Sequence, residues 1–212
     1  MKRMTKVWGM LCLAGLLISL YLGVSFLVPK QGKIVLTFGM FSGNQSDVPN
    51  DDCDKIIDET IKEFESNGDM YISSARFGDF YDDTTGSSAL FQVFTNQYGL
   101  AEININSRIL GGLTIKEADA MIANTKSNLP QSLKEAVIHE CGHAKLIHGL
   151  SVEEVEKLYA ALGNVHIEGI SATAFSDGAE CIAEVEVLLS RNAEVPKEAK
   201  ALYDKYIKGG RK

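Results

Sequence analysis

The sequence predicts an α+β fold, and three observations carry that expectation. Runs at 33–41, 70–77 and 88–106 are apolar and β-branched with strand-like alternation. From Thr114 onward the apolar positions follow the helical period instead. Of the 212 residues, 45% are apolar, enough for one domain with a real core, and no repeat or low-complexity stretch interrupts them. Strands first and helices afterwards make a small mixed sheet with an edge strand, then helices, behind one N-terminal transmembrane helix.

Taken in order, residues 7–28, "VWGMLCLAGLLISLYLGVSFLV", carry no charge. At about 1.5 Å per residue such a helix spans a hydrocarbon core of roughly 30 Å. Lys2, Arg3 and Lys6 precede it, which makes residues 1–6 a cytoplasmic tail and places residues 29–212 outside the cytoplasm. No small-residue cleavage ending follows, so the run reads as an uncleaved single-pass anchor in the cell membrane; secretion after signal cleavage is the alternative. After Pro29, "KIVLTFGMF" is a strand, and "DDCDKIIDETIKEFESNG" is a helix with Ile56, Ile57, Ile61 and Phe64 on one face. "MYISSARF" is a short strand, and residues 88–106 form a hairpin turning between Asn96 and Gly99. Within it "LAEININ", residues 100–106, is a candidate edge strand able to pair with an extended peptide. Helices are expected at 115–126, 131–148, 152–162, 178–191 and 197–208, with Ser151 and Glu154 as a capping box and Pro196 opening the last. The exported domain thus divides into a strand-rich part, 29–113, and a helical part, 114–212.

The net charge is −7, and every acidic residue follows residue 28. Such a surface repels phosphate backbones, so no nucleic acid partner is expected. Cys53, Cys141 and Cys181 lie outside the apolar run, and an odd number argues against a disulfide framework.

Three of the chain's four histidines fall in "AVIHECGHAKLIHGL", residues 136–150. On a helix His139 and His143 are about 40° apart and one turn along, so both imidazoles can meet one metal ion. Glu140 lies beside them, within reach of a metal-bound water: two ligands and a general base, the H-E-x-x-H arrangement. His148 is about 180° round the helix from His139, which gives it a structural role near the negative helix end. A catalytic zinc needs a third protein ligand. The metzincin continuation H-x-x-G-x-x-H is absent, because Leu146 stands at the glycine position. A later helix, "SDGAECIAEVEVLLSRN", offers Glu180 and Glu184 one turn apart, and either can supply the ligand.

"HECGHA" followed by "ISATAFSDGAECIAEVEVLL" resembles the gluzincin metallopeptidases, in particular the lethal factor-like and phage-head-associated domains. The resemblance covers roughly residues 100–208 and includes "EININSRIL". It implies a zincin-like fold, zinc bound by His139, His143 and Glu180, and Glu140 as general base. Glu184, one turn on, is then spaced to accept the second N–H of a ligand histidine. One position departs from the family: the tyrosine seven residues before the ligand glutamate, which helps stabilise the oxyanion, is Thr173 here. Tyr159 and His166 are weak substitutes for it. A fainter resemblance links "KIVLTFGMFSGNQSDVPNDDCDKIIDETIKEFE" to the mature start of sugar-binding proteins of bacterial ABC transporters, and implies a bacterial exported protein. The expected function is a membrane-anchored, extracytoplasmic zinc metallopeptidase acting on a peptide or protein substrate. The alternative is an exported, non-enzymatic binding module, either a degenerate peptidase or a solute-binding remnant.

Overall fold

Five strands, β1 (Leu36–Phe41), β2 (Ile72–Phe77), β3 (Tyr81–Asp82), β4 (Ser87–Thr95) and β5 (Ala101–Asn106), form one sheet in the order β1-β4-β5-β2, with β3 also on β4. This is a computed structural model, and it describes residues 36–41, 46, 48–68, 70–77, 81–82, 87–125 and 127–209. β1 and β5 run antiparallel to β4, whereas β2 runs parallel to β5, so the sheet is mixed. β4 is buried from Ala89 to Thr95, covered on both faces, while β5 alternates between buried and half-buried positions. The β4–β5 turn follows from its residues. Asn96 Oδ1 accepts from the amides of Tyr98 (2.9 Å) and Leu100 (3.1 Å), and Gly99 takes the positive φ of 75° that closes it.

The helices are α1 (Asp51–Ser66), α2 (Ser107–Leu110), α3 (Ile115–Ala123), α4 (Leu133–Ile147), α5 (Val152–Leu162), α6 (Ala172–Ser176), α7 (Gly178–Ser190) and α8 (Lys197–Tyr203), the last running into a π turn at Asp204–Lys208. α4 is the hub: it lies against β4 and β5 and packs on α1, α3 and α7. Its side chains from Ala136 to Ala144 are all buried, as a helix enclosed on most sides requires. Leu133, Leu146, Phe91, Ile103, Ile105 and Ile182 join there in one core. The start of α4 is Leu133, two residues later than expected. Ser132 accepts from the amide of Glu135 at 3.3 Å, and Asp119 of α3 accepts from that of Leu133 at 2.7 Å.

Two expectations are corrected. The fold class placed a transmembrane helix before the domain, but no helix among the described residues is long and apolar enough to cross a membrane. Residues 7–28, on which that expectation fell, lie outside the described residues. Residues 100–106 were expected at an edge, yet β5 is interior, with β4 on one side and β2 on the other. Its register with β2 pairs Ile72 with Ala101 through Phe77 with Asn106. A parallel partner in a distant part of the chain leaves no mark in the local alternation.

Candidate metal centre

α4 and α7 cross at two small residues. A Cβ on Gly142 would sit 2.9 Å from Ala183 Cα and 3.3 Å from its carbonyl oxygen, so only glycine fits. This close approach sets Glu180, one turn before Ala183, against His139 and His143. Asp177 starts α7 by accepting from the amide of Ala179 at 2.7 Å.

The two histidine Nε2 atoms are 3.1 Å apart, with their rings edge to face. Glu180 brings Oε2 to 3.2 Å from His139 Nε2 and Oε1 to 3.4 Å from His143 Nε2. Ligands about 2.0–2.1 Å from a tetrahedral zinc lie about 3.3–3.4 Å from one another. The N–N distance and each N–O distance are near that spacing, with a different carboxylate oxygen facing each histidine, and one ligand atom from each residue lies within 4.8 Å of the others. His139 and His143 are buried and Glu180 is half-buried. Lone-pair atoms converge in a low dielectric only when a cation or shared protons lie among them. This donor set, two imidazoles and a carboxylate, suits zinc.

Glu140 is 1% exposed, and neither carboxylate oxygen meets a hydrogen-bond partner among the described residues. Burial pushes its carboxyl up to about 8, with His139 opposing and the charge of Glu180 adding. Glu180 goes the other way. Burial acts to raise it, but the charge of His143 and hydrogen bonds from His139 and His143 hold its carboxyl far below the usual range.

Glu184 is fully buried, and its Oε1 accepts from the amide of Leu129 at 2.9 Å. Burial raises its carboxyl, while the charge of His139 and bonds from Ser171 and Leu129 oppose the rise. It therefore stands in the electrostatic field of His139 while anchoring the 127–131 loop and the start of α6. Thr173 helps hold the same loop: its hydroxyl engages Ser127 O at 2.9 Å and Asn128 Oδ1. His166 is exposed, with Nδ1 2.9 Å from Phe175 O and its ring stacked on Phe175. His148 caps the end of α4, and Gly149 follows at φ 77°. Cys53, Cys141 and Cys181 are free and buried. Burial raises the thiol of Cys141, and pushes that of Cys181 up to about 12.

Sequence reasoning missed the Leu129 and Ser171 contacts of Glu184, which join residues distant in the chain. The role of Gly142 had a visible signal, a glycine between the two histidines on a buried helix face. A cavity of about 520 Å³ opens elsewhere on α4, lined by Phe64, Ile138, Lys145 and Glu186 among others and by none of the three candidate ligands. No family model, curated protein or solved structure matches the chain.

Proposed function

We propose that the chain is a zinc-dependent metallopeptidase of the gluzincin type, as its "HECGHA" and "GAECIAE" segments imply by resemblance. The observation that supports this reading most is the convergence of His139, His143 and Glu180, one ligand atom of each within 4.8 Å of the others, with the Glu140 carboxylate next to His139 and without a hydrogen-bond partner among the described residues. These three residues would hold the ion. Zinc in such a site supplies a Lewis acid and acidifies a water. Glu140 accepts the proton as the water oxygen adds to the peptide carbonyl carbon, then returns it to the amine nitrogen as the C–N bond breaks. Water is the only co-reactant, and an acid and an amine leave. A zinc-holding module without hydrolytic activity is the second reading. It is favoured by Thr173, whose hydroxyl is taken by Ser127 and Asn128.

The purified protein should carry about one zinc per chain and cleave members of a peptide library. Glu140→Gln should abolish cleavage and keep the zinc, because the amide preserves size but accepts no proton. Absence of bound zinc would overturn both readings. Zinc without hydrolysis would leave the second, and equal activity in wild type and Glu140→Gln would remove Glu140 as the base.

A further inference from the structure

α4 and α7 carry a second face, turned away from the candidate ligands. On α4, Ile138 and Lys145 lie about 20° apart, while His139 and His143 lie about 100° and 140° round from Ile138. The cavity of about 520 Å³ opens on this second face, between α4, α7 and α1. Its volume falls in the range of small-molecule sites, roughly 300–1,000 Å³. Phe64 of α1, Ile138 of α4 and Leu189 of α7 supply its apolar lining. Three carboxylates and three cations also line it, so the cavity as a whole is neutral. A lone anion or cation would enter uncompensated, whereas a zwitterion adds no net charge.

The charged groups keep hydrogen-bonding capacity that no described residue uses. Glu186 is 7% exposed, and both Lys145 and the Tyr203 hydroxyl donate to its Oε1, at 2.7 and 2.5 Å. Its Oε2 accepts from none of the described residues. Arg191 gives Nε and Nη2 to Glu135, and Nη2 also to Leu129 O, which leaves Nη1 without a described acceptor. Lys134 meets Glu63 at 2.9 Å in a pair more than half exposed, so that contact is exchanged at little cost. An acceptor on α7 is thus followed by donors further along. Glu186 and Arg191 are five residues apart, and Arg191 keeps the αR conformation at the end of α7. Five residues rise about 7.5 Å along the axis. Two residues of extended chain span about 6.6–7.2 Å, and a single amino acid spans half of that.

We infer that this cavity binds a free dipeptide with apolar side chains, its ammonium on Glu186 Oε2, its carboxylate on Arg191 Nη1 and Lys134 Nζ, and its side chains against Phe64, Ile138 and Leu189. The inference does not rest on the peptidase reading, because none of the three candidate metal ligands lines the cavity.

Calorimetric titration of the full chain with leucyl-leucine tests it, with and without acetohydroxamate, a small ligand that occupies zinc. The dipeptide should bind equally in both conditions. Acetylating its amine or amidating its carboxylate should each weaken binding about 10- to 100-fold, the scale for losing a charged hydrogen bond. Free leucine, too short to reach both ends, should bind at least about 10-fold more weakly than the dipeptide. Leu189 is 42% exposed, so Leu189→Asp should keep the fold, and its new charge beside the carboxylate should weaken binding about 10-fold or more. No binding of leucyl-leucine overturns the inference, as does equal binding of free and capped forms. Displacement by acetohydroxamate also overturns it, because the dipeptide would then sit at the metal centre. So does full binding by Leu189→Asp. If that variant unfolds, the capped dipeptides on the wild-type chain decide alone.

Discussion

Glu180 and Glu184 lie one turn apart on α7, yet they meet different surroundings. Glu180 faces both histidine Nε2 atoms, whereas Glu184 accepts from the amide of Leu129. Glu180→Ala should therefore lose most of the zinc. Glu184→Ala should retain it with affinity lowered roughly 10- to 100-fold, because the loop that Glu184 anchors is released and its charge no longer acts on His139. It should also lose about 1–3 kcal/mol of stability, since the Leu129 amide is left without its acceptor. Metal analysis and urea unfolding of the two variants check this, and a full site in Glu180→Ala with an empty one in Glu184→Ala would exchange the roles. At this scale the sequence was legible where the relation is local. The four-residue spacing of His139 and His143 put both rings on one face, and they converge. The same rule put both glutamates on one face and gave no means of choosing between them, because the choice depends on contacts with Leu129 and Ser171.

At the scale of elements, the α4–α7 crossing depends on Gly142. Alanine there gains up to about 1 kcal/mol of helix propensity. Overpacking against a helix backbone, which cannot swing aside as a side chain would, costs about 1–3 kcal/mol. The clash should win because the nearest atom is Ala183 Cα, 2.9 Å from the new Cβ. Gly142→Ala should unfold at lower urea and bind zinc more weakly, since Glu180 moves with α7. Wild-type stability with wild-type zinc affinity would remove the crossing from the account. Long helices were readable from their period, as at α4, α5 and α7. α2 and α6, of four and five residues, are too short to show one. β5 was misplaced for a different reason, its parallel pairing with β2, which only tertiary contacts reveal.

Among the described residues, ties of side chain and backbone join α4 and α7 to each other and to their surroundings. Arg191, just past α7, grips Glu135 in the first turn of α4 at 2.6 and 2.5 Å. The Tyr203 hydroxyl of α8 and Lys145 of α4 both donate to Glu186 of α7. The β4–β5 turn adds a third tie, Gly149 N to Gly99 O at 2.9 Å. Burial acts to raise the Glu135 carboxyl, but Arg191 and the amide of Gln131 outweigh it and hold it below its ordinary value of 4.5. A carboxyl whose folded pKa is depressed contributes stability above its unfolded pKa and loses it as pH falls through the folded value. Glu135→Gln should therefore cost about 1–2 kcal/mol near pH 7, discounted for partial exposure of the pair. The gap between the two proteins should close progressively as pH falls below 4.5. Urea midpoints across this range measure it, and a gap independent of pH would sink the assignment. None of these ties was legible beforehand, because each joins residues far apart in the chain.

Thr173 also constrains what change the molecule can accept. Its hydroxyl and amide hold Ser127, and the adjoining Leu129 amide is held by Glu184, so position 173, the 127–129 loop and α7 behave as one coupled set. A tyrosine introduced at 173 would not drop into a waiting gap. It would have to displace the loop, and the effect of that substitution would depend on what stands at Asn128. Substitutions in such a set combine non-additively, because each alters the background against which the next is felt. The loop therefore acts as a ratchet: seated on threonine, it resists a bulkier side chain at 173 unless Asn128 changes with it.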